Sequence, residues 1–71
     1  MKYELIITKL NLPFFKVATK KAIEQKLYTM RFGDLYFNPA YAILVIEEME
    51  EKIKTGKQNR FILTQERDEQ P

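Results

Sequence analysis

Residues Asn38–Gly56 read NPAYAILVIEEMEEKIKTG. The segment opens on a helix-start signal. Asn38 suits an N-cap, and Pro39 stands at the first helical position, where its missing N–H is no loss. It closes on Gly56, the residue type best suited to the left-handed conformation just past a helix end. Between these limits Ala42, Ile43, Ile46, Met49 and Ile53 recur at helical spacing and predict a core-facing stripe. Glu48–Lys52 and Glu50–Lys54 are i,i+4 pairs in the favourable order. Lys52 and Lys54 also complement the negative end of the helix dipole. Tyr41, Leu44 and Val45 add apolar surface outside the stripe. The first half of the helix is therefore apolar on every side and the second half densely charged, so one end needs cover and the other solvent. A second reading stays open: Ile43-Leu44-Val45-Ile46 is β-branched and also suits a strand hairpinned to Arg60–Thr64.

The rest of the chain supplies elements to pack against this one. Tyr3–Thr8 predicts a strand, since Tyr3, Leu5 and Ile7 alternate with Glu4 and Thr8. Asn11-Leu12-Pro13 ends it, because proline cannot donate to a ladder. Phe14–Ala18 reads as a short apolar link, and Thr19 as the N-cap of a helix running to about Leu27. Ala18, Ala22, Ile23 and Leu27 would form its apolar stripe. Tyr28–Phe37 reads as a hairpin turning at Gly33-Asp34, with Tyr28, Met30 and Phe32 on one face. Arg60–Thr64 is a closing strand, and 65–71 reads as a frayed polar tail. The fold expected is one small α+β domain over 1–71, in the order β-α-β-β-α-β, with helices on one face of the sheet.

Composition narrows the chemistry. A chain of 71 residues is one domain at most and buries only roughly 60% of the surface its unfolded form exposes. It has no cysteine, which removes disulfides and thiolate metal sites. At 45% hydrophobic and 13% aromatic it is too apolar for disorder. No apolar run approaches the ~20 residues of a membrane span, and MKYELIITKL lacks a signal-peptide layout, so a cytoplasmic location without membrane contact is expected. His, Cys, Ser and Trp are all absent. The usual nucleophile–base pairs are therefore missing, and a non-catalytic domain without cofactor is expected.

Charge is distributed unevenly around a formal net of +2. Lys16, Lys20, Lys21, Lys26 and Arg31 form a basic segment, and Tyr28, Phe32 and Tyr36 lie near it in sequence. Lysines interleaved with aromatics suit phosphate contact and base stacking. Glu47, Glu48, Glu50 and Glu51 form the opposing acidic run. Consecutive on one helix, they fan outward rather than converge, so no metal site is expected. Phe14, Phe15, Tyr41, Leu44 and Val45 are the candidate protein interface. A two- to four-strand sheet with two short helices offers few places to hide them, and adjacent Phe14 and Phe15 on an extended link point in opposite directions.

Leu35–Met49, LYFNPAYAILVIEEM, resembles the Leu-Asn-Pro core of the small flagellar-operon FlbD family. That family follows its core with an Asn-Gly turn, which this chain lacks. The resemblance implies a strand at Ile43–Ile46. In genre the chain is similar to accessory proteins of phages and mobile elements. The function expected is protein–protein association, as a homodimer, with another protein, or both. The alternative is a nucleic-acid accessory protein using the Lys16–Arg31 surface, binding at low salt.

Overall fold

The computed structural model describes residues 1–68. Strand β1 (Lys2–Thr8) pairs antiparallel with β4 (Arg60–Glu66), in a register running from Lys2 opposite Glu66 to Thr8 opposite Arg60. The period-two alternation sends Tyr3, Leu5, Ile7, Phe61 and Leu63 to the core. Ile6 and Ile62 are register partners on the outer face, and both stay exposed. A second two-stranded antiparallel sheet is the hairpin of β2 (Met30–Phe32) and β3 (Leu35–Phe37), turning at Gly33-Asp34 as its sequence predicts. Gly33 has a φ of +62°, and a Cβ there would meet the Leu5 side chain at 2.9 Å. Tyr28 lies ahead of the hairpin and is exposed. The element order is the expected β-α-β-β-α-β.

Helix α1 (Leu12–Glu24) begins seven residues before the Thr19 start read from sequence. Phe14–Ala18 is helix rather than link. Pro13 lies in the first turn, where the lost donor is harmless. The Asn11 carbonyl accepts from both Phe14 and Phe15 N–H at 3.1 Å. Thr19 is not a cap: it is buried in mid-helix, and its hydroxyl donates to the Phe15 carbonyl at 2.9 Å. This intrahelical bond satisfies the one polar side chain in the core stripe Leu12, Phe15, Thr19, Ala22. The helix stops at Glu24 because Lys26 turns left-handed at φ 58°.

Helix α2 (Pro39–Lys54) matches the expected start and end. The Asn38 side chain accepts from Ala40 N–H at 2.9 Å. Gly56 takes φ 73° beyond the last turn. The strand reading of Ile43–Ile46 is overturned, since those residues lie within α2 and β4 takes β1 as its partner. Glu48 pairs with Lys52 at 2.9 Å as expected, but Glu50 reaches across to Lys16 at 3.0 Å instead of down to Lys54.

The core lies between the helices and the inner faces of the two sheets. Phe15, wholly enclosed, is its centre, with Phe32 and Phe37 tilted against it at centroid distances of 5.1 and 5.3 Å. Ile7, Leu35, Ala42, Ile46 and Met49 complete it. The C-terminal segment is tied down rather than frayed through Arg67. β4 runs on to Glu66, and the Gln65 carboxamide both accepts from Tyr36 N–H (3.2 Å) and donates to Tyr36 C=O (3.0 Å). Arg67 donates to the Asp34 carbonyl at 2.6 Å and lies over the Tyr3 and Tyr36 rings. Residues 69–71 of the expected tail lie outside the described residues.

Candidate interaction surface

Two helices packed side by side on a small sheet leave a face turned to solvent. In α2 the core takes Ala42, Ile46 and Met49. At 100° per residue, Leu44 then points directly away from the core. It is 64% exposed. In α1 the core takes Leu12, Phe15, Thr19 and Ala22, which sends Val17 outward, 53% exposed. Between the two crests runs an open groove of about 1290 Å³. Its floor is aliphatic, made by Leu12, Ile23, Ile43, Ile46 and Ile53. Ile43, expected in the core, lines this groove, 38% exposed, and Ile53 is half-buried.

The walls of the groove carry opposite charge. Lys16 and Lys20 stand with Glu24 on the α1 side, and Glu47 and Glu50 with Lys54 on the α2 side, so the first wall is net basic and the second net acidic. The Lys16–Glu50 pair crosses it at 3.0 Å. Both partners are about half exposed, so the pair contributes little to stability. In both helices the groove lies on the same side of the core stripe, which requires neighbours that run in opposite directions.

The five residues predicted as an interface do not form one surface. Phe14 (68% exposed) and Leu44 are open to solvent on different helices. Tyr41 is exposed on the far flank of α2, stacked on Phe37 at 6.5 Å and lining a smaller cleft toward β4. Val45 is half-buried against the core. Phe15 is the centre of the core and reaches no surface. Adjacent residues on a helix diverge by 100°, so Phe14 and Phe15 separate as expected, though by a different geometry. Val17, Ile23 and Ile43 were missed. Their signal was present: once α1 is started at Leu12, Val17 falls opposite the core stripe.

The five basic residues do not form one patch either: Lys16, Lys20 and Lys21 share α1, whereas Lys26 and Arg31 lie beyond it. Lys16 is engaged by Glu50. Arg31 donates to the Gly33 carbonyl and lies 5.9 Å from the Tyr36 ring centroid, on the hairpin. Lys20 and Lys21 are exposed on α1, and Lys26 is exposed in the left-handed turn that follows it.

Among the described residues no helix is long and apolar enough to cross a membrane. No protein-family model matches the chain, and neither the curated proteins nor the solved structures contain a significant match to it.

Proposed function

We propose that the chain is a non-catalytic association domain, acting in the cytoplasm, whose α1–α2 face binds another polypeptide. The observation that carries this reading is the open aliphatic groove between the helices, bordered by Val17, with Leu44 exposed on the outer side of α2 beside it. Apolar side chains clustered around a concave surface gain from excluding water, and rims of fixed charge orient what enters. Grooves of this kind accept amphipathic helices, which present an apolar stripe with polar flanks. Nucleic acid is the weaker reading. Glu47 and Glu50 line the groove opposite Lys16 and Lys20, so a phosphate chain entering it meets both signs of charge.

The test compares the wild-type chain with Val17→Asp/Leu44→Asp. Both positions are exposed, so the fold and its circular dichroism should persist. Immobilised wild type should retain a protein, its own copies included, that the variant loses. If the two retain the same proteins and neither self-associates, the face is not a binding surface.

A further inference from the structure

We infer that the occupant of the α1–α2 groove is a second copy of this chain, related by a twofold axis running parallel to the helices. This rests on the association reading above and narrows it to one partner and one geometry. The argument is charge complementarity. Away from the core, α1 carries Lys16, Lys20 and Lys21 against one acid, Glu24, and α2 carries Glu47, Glu48, Glu50 and Glu51 against Lys52 and Lys54, so the α1 side is net basic and the α2 side net acidic. Two copies can place these helix pairs face to face about an in-plane twofold axis in two ways. With the axis perpendicular to the helices, α1 lies on α1 and lysines oppose lysines. With the axis parallel to the helices, α1 of each copy lies over α2 of the other, and lysines meet glutamates. The second arrangement satisfies both rims at once and makes the surface self-complementary, as a twofold interface requires.

The register follows from the pair already made within one chain. Lys16 and Glu50 are level across the groove, and the helices run in opposite directions, so Lys20 is level with Glu47 and Ile23 with Ile43 and Leu44. A rotation about an axis parallel to the helices keeps those levels. Lys20 of one copy therefore comes level with Glu47 on the facing helix of the other, and the two aliphatic grooves lie face to face between the helix pairs.

The test uses Lys20→Glu and Glu47→Lys, neither of which disrupts the Lys16–Glu50 pair. Each single variant puts like charges together at both symmetry-related places. Dimerisation measured by sedimentation should weaken by roughly tenfold or more in each. Mixing the two variants should restore it and yield predominantly the mixed dimer, read by native mass spectrometry. Mixing relieves repulsion only between copies, so restoration cannot arise from changes inside one chain. A wild-type chain that sediments as a monomer up to ~100 μM overturns the second copy as occupant; whether the groove binds some other polypeptide is decided separately by the Val17/Leu44 comparison. A wild-type dimer whose two charge variants dimerise as well as it does, or mix only statistically, overturns the orientation.

Discussion

Asn11 and Gln65 each use a side-chain carboxamide to occupy the backbone groups of a strand. Asn11 accepts from Thr8 N–H at 2.6 Å and donates to the Ile6 carbonyl at 2.9 Å, along β1. Gln65 does the same for both backbone groups of Tyr36 on β3. A carboxamide carries one acceptor and two donors, so it reproduces the pairing that a neighbouring strand would offer. Two sheets of two strands leave four edges, and open edges invite pairing with other chains. Gln65 also joins the hairpin to β4, which share no ladder. Gln65→Ala should therefore lower stability by about 1–2 kcal/mol in urea unfolding. Gln65→Glu should not rescue it, because a carboxylate can accept from Tyr36 N–H but cannot donate to Tyr36 C=O. An unaltered urea midpoint for Gln65→Ala would show that the clasp contributes nothing.

Both helices end in the same backbone motif, one with glycine and one without. After α2, Gly56 N–H donates to the Ile53 carbonyl and Lys57 N–H to that of Lys52. After α1, Lys26 N–H donates to the Ile23 carbonyl and Leu27 N–H to that of Ala22. These are the paired bonds that close a helix on a left-handed residue. Gly56 adopts that conformation freely at φ 73°; Lys26 is held in it at φ 58° against the preference of its Cβ. The two sites should respond oppositely. Lys26→Gly should raise stability by about 1 kcal/mol, and Gly56→Ala should lower it by a similar amount. Nothing lies within 4 Å of a Cβ at Gly56, so its response isolates backbone conformation. Thermal melts of the pair decide it; equal signs would mean the left-handed turn is not what sets these ends.

The molecule as a whole is short of cover. Its core is one layer of side chains between two helices and two small sheets, and Leu44, Val17 and Phe14 remain outside it. If copies pair through the helical face, folding and association are linked, and the melting temperature must rise with protein concentration. Leu44→Asp should remove that dependence while leaving a folded chain, since Leu44 points away from the core. A wild-type melting temperature indifferent to a hundredfold dilution would separate stability from association altogether.

Local chemistry is written directly in the residues, and so the start and end of α2 were legible. Asn38, Pro39 and Gly56 act on their own backbone neighbours, and the apolar period needs no distant partner to be seen. The strands β1 and β4 and the hairpin turn at Gly33-Asp34 were legible for the same reason. The start of α1 was less so. Asn11-Leu12-Pro13 is as much a helix beginning as a strand ending, and the choice depends on whether Phe15 has a core to enter. Phe32, Phe37 and Met49 supply that core from later in the chain. Lys26 carries no glycine to mark the helix end, and Gln65 and Arg67 look like tail until Tyr36 and Asp34 stand beside them. The groove was hidden most completely. Val17, Ile43 and Lys20 gain their joint meaning only when α1 and α2 lie alongside each other, because burial and opposed charge are properties of neighbours in space and not of positions along a chain.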